Sequence, residues 1–354
     1  MRLKDLGFDN WFQKRLDVSL YPEHKLARVA AVDKNKFVIR NEKTEIPAEL
    51  AGKIIYEAVS NLDLPTVGDW VKVKYFDKNT FAIIHEILPR KSLLKRKKAG
   101  NKVEYQLIAS NIDVAFIIQS CDSDFNIQRL ERYLTMVNES SIKSIILLSK
   151  SDLISIDNLN QEILEIKNRS HNYEIIAFSN KTGQGLNEIT NRINPGKTYS
   201  LIGSSGVGKT TLLNNLVGEN LYTTDTVRKK DGKGKHITTR RQLIILNKGG
   251  LIIDTPGMRE LANIGAAAGL NETFSTIVSL ARNCRFKDCT HINEPGCSVL
   301  EAVEAGTLNK KHYQNFLKLR KESEYNEMSY IEKRKKDREF GKMIKQAMKN
   351  NKKG

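Results

Sequence analysis

Cysteine and long apolar runs are both scarce in this chain, and their scarcity excludes two classes of protein. Four cysteines in 354 residues are too few for a disulfide-stapled secreted fold. Apolar stretches stay well below the roughly 20 residues that span a bilayer. Charged residues interrupt Met1 to Leu20, which is unlike a signal peptide. We therefore expect a cytoplasmic protein with no membrane partner.

Acidic residues are outnumbered, and the basic excess is unevenly placed. The chain has 58 lysines and arginines against 41 acidic residues, a net charge of +17. Arg90 to Lys98, Arg228 to Arg241 and Leu308 to Gly354 together hold 28 basic and seven acidic residues, so the rest of the chain is slightly acidic. One such run is usually a solvated face, but three on an acidic body predict a surface for a polyanion such as RNA.

The apolar pattern divides the chain into three regions. Between Leu26 and Leu88, short apolar runs alternate with turns, which predicts a small β-barrel or sandwich. Periodicity leaves an OB barrel and an SH3-like barrel open. From Ile108 to Ile264, buried strands alternate with helices, which indicates a parallel α/β sheet. Thr273 to Gly354 holds a Cys/His cluster and a basic helical tail, and Leu3 to Leu20 precedes the barrel as a short helix or arm.

A phosphate-binding loop is the clearest motif of the α/β region. The loop matches G-x-x-x-x-G-K-[ST], with a predicted strand before it and a helix after it. Its glycines let backbone N–H groups face phosphate oxygens. Lys209 would reach the β and γ phosphates, and Thr210 would bind Mg²⁺. The expected nucleotide-binding residues of this loop are Gly203, Ser204, Ser205, Gly206, Val207, Gly208, Lys209, Thr210 and Thr211.

A second phosphate-side motif, Asp254-Thr255-Pro256-Gly257, follows an apolar strand further along the chain. Asp254 would contact Mg²⁺, and the N–H of Gly257 would reach the γ-phosphate. The segment between the two motifs, Gly232 to Thr239, is rich in glycine and charge, as switch loops are. Thr239, or alternatively Thr238, would supply the switch hydroxyl to Mg²⁺.

The glutamine that orients water in many GTPases has no counterpart here. Met258 stands at its position and cannot orient water. His236 in the switch loop is the nearest candidate replacement, and contact with RNA is an equally supported role for it. His236, Lys209 and Thr239 form the candidate catalytic set.

The candidate base-reading loop lies upstream of the phosphate loop. In Ser149-Lys150-Ser151-Asp152, the Asp152 carboxylate can accept two hydrogen bonds from guanine that adenine cannot donate, and the Lys150 stem can lie over the base. Ser149 stands where asparagine is more usual. Ser179-Asn180-Lys181 follows the next strand and would contact guanine O6. This motif order predicts a circularly permuted GTPase domain, since closely spaced termini tolerate such rewiring.

Three of the four cysteines gather in one short segment beside a histidine. Cys284, Cys289, His291 and Cys297 offer three thiolates and an imidazole, which suit structural tetrahedral Zn²⁺. Scattered cysteines in a helical subdomain are the weaker alternative.

These motifs together resemble the circularly permuted ribosome small-subunit-dependent GTPase A (RsgA) family over nearly the whole chain. The resemblance implies an N-terminal OB domain, a permuted GTPase domain and a C-terminal zinc domain. It also implies GTP hydrolysis stimulated by the small ribosomal subunit late in that subunit's maturation. The motifs that carry it are Val67-Gly68-Asp69-Trp70, Asn111-Ile112-Asp113, Gly203 to Thr211, Lys235 to Thr239, Cys284 to His291 and Glu294-Pro295-Gly296-Cys297.

We therefore predict an α/β P-loop GTPase with an N-terminal all-β barrel and a small helical zinc-binding domain. The expected parts are an arm (1–25), an OB-fold RNA-binding domain (26–95), the permuted GTPase domain (105–265) and a zinc domain with a basic helical tail (273–354). The expected protein is a monomer that uses GTP, Mg²⁺ and one structural Zn²⁺, and binds the small ribosomal subunit and its rRNA. An RNA-binding or remodelling module that only senses GTP is one alternative. A P-loop kinase for a small molecule is the other, and Asp152 argues against it.

Overall fold

The N-terminal arm holds two short helical turns. The computed structural model describes residues 1–16, 23–33, 36–97, 105–169, 173–218, 241–254 and 267–328, with positions 332, 335 and 338. Within the arm lie a 3₁₀ turn, Leu3–Leu6, and helix α1, Asn10–Gln13. Asp9 caps α1, because its carboxylate accepts the Trp11 N–H at 3.0 Å.

Five strands then close into a barrel. Strand β4 pairs with both β5 and β1, and β3 runs parallel to β5, so the order around the barrel is β1-β2-β3-β5-β4. This order, with helix α2 after β3, is that of a Greek-key OB barrel and resolves the choice that periodicity left open. The elements are β1 (Lys25–Asp33), β2 (Lys36–Arg40), β3 (Glu45–Leu50), α2 (Gly52–Glu57), β4 (Trp70–Phe76) and β5 (Phe81–Ile87).

A two-stranded hairpin connects the barrel to the α/β region and carries the first basic segment. It consists of β6 (Leu93–Lys97) and β7 (Tyr105–Ser110). Arg90 forms a bidentate ion pair with the buried Asp69, in which Nε and Nη2 each lie 2.8 Å from a carboxylate oxygen. Lys91 contacts Asp9 of the arm. Part of this basic run is therefore engaged in ion pairs within the protein.

The α/β region is built on a parallel sheet with one antiparallel edge. Strands β10, β9, β8, β11 and β13 are parallel neighbours in that order, and β12 pairs antiparallel with β13. The strands read as continuous buried runs, as expected for a sheet covered on both faces. In chain order the elements are β8 (Val114–Ser120), α3 (Ile127–Glu139), β9 (Lys143–Ser149), α4 (Ile156–Arg169), β10 (Glu174–Ala177), α5 (Leu186–Asn191), β11 (Thr198–Gly203), α6 (Lys209–Val217), β12 (Arg241–Ile245) and β13 (Leu251–Asp254).

The barrel and the α/β sheet share one strand. The first half of β1 pairs with β4 of the barrel, and its second half pairs with β12 through Ala31–Gln242 and Val32–Arg241. Eleven strands thus form one continuous hydrogen-bonded sheet.

The N-terminal arm fills the junction of barrel and sheet. Leu6, Phe8 and Phe12 are buried, and the Phe8 ring meets the Trp70 ring edge-on with centroids 4.9 Å apart. The buried Arg28 guanidinium donates to the backbone carbonyls of Leu6 and Gly68, at 2.6 and 3.1 Å, and of Asn111, at 3.3 Å. Arm, barrel and α/β region therefore meet at one side chain.

The C-terminal region is a helical unit that packs on helix α3. It contains α7 (Ala267–Thr273), α8 (Ser275–Ala281), α9 (Ser298–Glu304) and α10 (Lys310–Glu327) around its own apolar core. Gly269 lies against α3 so closely that a Cβ there would come within 2.1 Å of the Thr135 carbonyl oxygen. None of the described helices combines the length and apolar character needed to cross a bilayer.

Charged side chains link α3 to α10. The buried Glu131 carboxylate lies 2.7 Å from His312 Nδ1, accepts from Asn315 Nδ2 at 2.5 Å and faces Arg169 at 3.4 Å. Arg132 forms a bidentate ion pair with Glu322 at 2.6 and 2.7 Å.

Candidate nucleotide site and metal centre

The predicted nucleotide motifs meet at one edge of the sheet. The two base-reading loops follow β9 and β10, the phosphate loop follows β11, and Asp254 ends β13. Carboxyl ends of adjacent parallel strands share one edge, which is where open α/β sheets bind ligands.

The phosphate loop has the backbone form that its glycines permit. Gly206 and Gly208 adopt positive φ angles of 81° and 91°, which residues with a Cβ rarely adopt. The side chain of Val207 is buried in the core, and α6 begins at Lys209. The Lys209 ammonium donates to the Gly203 carbonyl at 2.8 Å. Backbone N–H groups and a helix N-terminus at this position suit an anionic ligand.

Both base-reading loops are tied to the phosphate loop by side chains. Ser149 is buried, and its Oγ donates to the Val207 carbonyl at 2.8 Å. Asn180 Nδ2 donates to the Gly208 carbonyl at 3.1 Å. Serine is shorter than the usual asparagine, yet it still reaches the phosphate loop.

The residues that would face the base lie in tight turns. Lys150 has a positive φ of 61°, and Ser151 N–H donates to the Phe178 carbonyl at 3.2 Å, which joins the two loops. Asp152 is exposed and available to a ligand. Ser179 Oγ accepts from the N–H groups of Lys181 and Thr182 at 3.1 and 3.2 Å, which shapes the second loop.

Asp254, a predicted Mg²⁺ contact, ends β13. Burial raises the pKa of Asp254, and the nearby Lys209 partly opposes this. A carboxylate in such surroundings gains from a bound cation. The predicted roles of His236, Thr238, Thr239, Gly257 and Met258 fall outside the described residues.

The loop between β8 and α3 contacts both the predicted base-reading loop and the phosphate loop, and no motif in the sequence singled it out. Asp122 accepts from Lys150 Nζ at 2.6 Å, and Asp124 accepts from Ser204 Oγ at 3.0 Å. Their place in the sequence could have indicated this contact, because both carboxylates follow β8, the strand that lies between β9 and β11.

The four predicted metal ligands are gathered in the C-terminal region. The ligand atoms of Cys284, Cys289, His291 and Cys297 all lie within 4.8 Å of one another. Cys284 Sγ is 3.8 Å from Cys297 Sγ, and His291 Nδ1 is 3.4 Å from Cys297 Sγ. Zn–S bonds of about 2.3 Å imply tetrahedron edges of about 3.8 Å, so the set fits a four-coordinate ion.

Local structure brings these ligands together. Arg285 N–H donates to the Gly296 carbonyl at 3.0 Å, which closes the turn between Cys284 and Cys297. His291 has a positive φ of 59°, and the Tyr313 hydroxyl of α10 donates to its carbonyl at 2.5 Å.

Comparisons of the sequence with known proteins match it to a family of GTPases. A family model described as RsgA GTPase matches residues 87–263. The chain is 42% identical to Small ribosomal subunit biogenesis GTPase RsgA 2 of Lactiplantibacillus plantarum, covering 92% of this chain and 90% of that protein. It is 40% identical to RsgA 1 of Bacteroides thetaiotaomicron, covering 96% and 95%.

Two solved structures share the fold. YjeQ from Thermotoga maritima has a TM-score of 0.63 and 26% sequence identity over 85% of this chain and 98% of its own. YloQ, titled a circularly permuted GTPase, has a TM-score of 0.60 and 23% identity over 89% and 100%. The likeness to YloQ supports the permuted fold.

Proposed function

Because the chain belongs to the RsgA family of GTPases, it is a GTP-hydrolysing enzyme, and we propose that it acts on the small ribosomal subunit during late maturation. It converts GTP to GDP and phosphate, and the subunit stimulates this turnover. The attachment of both base-reading loops to the phosphate loop, by Ser149 to Val207 and by Asn180 to Gly208, is the observation that carries the proposal. A guanine-selective site needs base and phosphate contacts in one rigid unit.

The roles of the base-side residues follow from their chemistry. Asp152 accepts the two guanine donors, and the Lys150 stem covers the base. Ser179, Asn180 and Lys181 form the loop at guanine O6, and Ser149 and Ser151 hold the base loop in place.

The roles of the phosphate-side residues follow in the same way. Lys209 balances charge on the β and γ phosphates, and the N–H groups of the phosphate loop cradle them. Thr210, Asp254 and Thr239 would offer oxygen atoms to Mg²⁺, which neutralises phosphate charge when bound. The N–H of Gly257 would donate to the γ-phosphate. His236 is the candidate for activating water or for contacting RNA.

We assign one structural Zn²⁺ to the C-terminal region. Three thiolates and an imidazole within 4.8 Å suit zinc and leave no open position for catalysis. The ion would connect the segment between α8 and α9, which is otherwise held mainly by turns.

The partner and location follow from the family and the charge. The relatives are named for small ribosomal subunit biogenesis, and the basic excess of this chain suits rRNA. We propose a cytoplasmic monomer with no membrane partner, divided into the arm (1–25), the OB domain (26–95), the GTPase domain (105–265) and the zinc domain (273–354).

Turnover assays with and without purified small subunits test this function. We expect guanine-selective hydrolysis that rises when subunits are added and falls by about two to three orders of magnitude in Lys209→Ala. Lys248→Ala, an exposed lysine in the β12–β13 turn, is the matched control and keeps full turnover. Subunit binding without hydrolysis would favour a GTP-sensing RNA module, and ATP preference without subunit stimulation would favour a small-molecule kinase.

A further inference from the structure

The segment Asp122–Asn126, here called the acidic loop, lies between the base-reading loop and the phosphate loop. It connects β8 to α3 and carries two carboxylates, Asp122 and Asp124. Each carboxylate contacts a different nucleotide loop, Asp122 through Lys150 and Asp124 through Ser204, so the acidic loop links the two loops.

Asp122 is held in one orientation. Its Oδ1 accepts from Ser120 Oγ at 2.8 Å and from the Asp124 N–H at 3.0 Å, which leaves Oδ2 facing Lys150 Nζ at 2.6 Å. Burial raises the pKa of Asp122, but the hydrogen bonds from Lys150 and Ser120 outweigh it and bring the pKa to about 2. The carboxylate is thus a fixed anion at neutral pH.

Asp124 anchors the acidic loop at its other end. It accepts from Ser204 Oγ at 3.0 Å and pairs with both terminal nitrogens of Arg129 on α3, at 3.0 and 2.8 Å. Asn126 caps α3 by accepting the Arg129 N–H at 2.8 Å. The start of α3 therefore sets the position of the acidic loop.

On the basis of the proposed GTPase function, we propose that Asp122 is a positioning residue for guanine nucleotide binding, because it fixes the ammonium of Lys150. A lysine stem has four rotatable bonds, and its ordering opposes binding. An ammonium already held by a fixed carboxylate leaves the stem ordered before the nucleotide arrives, which lowers that cost. Asp122 touches no reacting atom and acts only through Lys150.

The test measures dissociation of fluorescently labelled GDP from the full-length protein, chased with excess unlabelled GDP. Asp122→Asn keeps the shape of the side chain and removes its charge, so we expect dissociation about tenfold faster. Asp122→Glu restores the charge on a longer stem and should return the rate to within about threefold of the wild type. Asp157→Asn, an exposed aspartate in the first turn of α4, is the matched control and should leave the rate unchanged.

A double-mutant cycle shows whether Asp122 acts through Lys150. In a Lys150→Ala background, Asp122→Asn should change the rate by less than about twofold, because the partner is already gone. An equal effect in both backgrounds would assign Asp122 a general structural role and overturn the inference. Slower dissociation from Asp122→Asn would also overturn it, since Asp122 would then hold Lys150 away from the nucleotide.

Two controls separate this inference from the proposed function. A thermal unfolding midpoint within about 3 °C of the wild-type value confirms that the fold of each variant is intact. If the wild-type chain binds GDP with guanine selectivity but Asp122→Asn dissociates at the wild-type rate, the inference alone fails. If the wild-type chain shows no guanine selectivity, the proposed function fails first.

Discussion

Ser149 illustrates how a single side chain joins two binding loops. It stands where asparagine is usual, and its hydroxyl reaches the Val207 carbonyl at 2.8 Å because the start of the base loop is buried beside the phosphate loop. The base loop is therefore held by the sheet and by one short hydrogen-bonding group. Asp152, three residues further on, is exposed.

Base selectivity should depend on Asp152. Asp152→Asn should weaken GTP binding by about 100-fold, because an amide cannot accept both guanine donors, and should shift preference towards xanthine nucleotides, whose extra carbonyl accepts from the amide. Competition binding with GTP and xanthosine triphosphate measures the change. Asp157→Asn serves as the matched control, and an unchanged GTP affinity in Asp152→Asn would remove Asp152 from the site.

At the scale of elements, the C-terminal unit rests on α3, the helix that also begins at the acidic loop. Glu131 and Arg132 on α3 meet His312 and Glu322 on α10, while Asp124 at the start of α3 meets Ser204 of the phosphate loop. One rigid helix thus contacts both the nucleotide site and the C-terminal unit.

Removal of the buried Glu131 charge should destabilise this interface. Glu131→Ala removes the carboxylate beside the buried His312 and leaves the buried Arg169 paired with Glu165 alone. We therefore expect a loss of about 3–5 kcal/mol in the free energy of unfolding. Arg132→Ala removes a partly exposed pair and should cost about 1 kcal/mol. Urea unfolding of the wild type and both variants measures the free energy of unfolding of each. Equal losses would show that burial of Glu131 does not govern the interface.

Zinc should contribute directly to the stability of the C-terminal unit. Metal analysis of reduced protein should find one Zn²⁺ per chain, and Cys297→Ser should abolish its binding and unfold this unit, because a structural ion contributes folding free energy. Cys121→Ser changes the buried cysteine that directly follows β8, outside the Cys/His cluster, and should retain the metal. Protein that contains no zinc, or a Cys297→Ser variant that retains it, would contradict the assignment.

At the scale of the whole molecule, we propose that the predicted switches and the unpaired part of the basic excess contact rRNA together. The second switch motif is followed by only a short segment before α7, so contact with rRNA should order the switches around the γ-phosphate. Hydrolysis should then loosen them together and time the release of the protein from the subunit.

Nucleotide state should therefore set affinity for the small subunit. We expect tighter binding with a non-hydrolysable GTP analogue than with GDP, and loss of the difference when the chain is cut near Gly265. Affinity should fall steeply with salt in both states, as phosphate contacts require. Sedimentation with purified subunits measures each case. Equal affinities in the two states would exclude the coupling, since a ligand that binds both states equally shifts nothing.

The sequence predicted those elements and motifs that are formed by residues close together in the chain. The phosphate loop, β11 and α6 follow from one local pattern of apolar residues and glycines, and the clustering of the cysteines indicated the metal centre. The Asp122–Lys150 contact was not predictable in this way, because it depends on β8 and β9 lying side by side. The burial of Phe8 against Trp70 likewise depends on a residue that is distant in the chain. The sequence therefore indicated an arm before the barrel but not how the arm packs.

The strand shared by the two sheets determines the order in which the nascent chain can finish folding. Strand β1 can pair with β2 and then β4 early in synthesis, but Ala31 and Val32 also pair with β12, which emerges some two hundred residues later. The polar edge of β1 near Ala31 and Val32 stays open during that interval. Ala31 and Val32 therefore reach their final contacts only after β12 has been synthesised, so the barrel docks on the GTPase sheet late in folding.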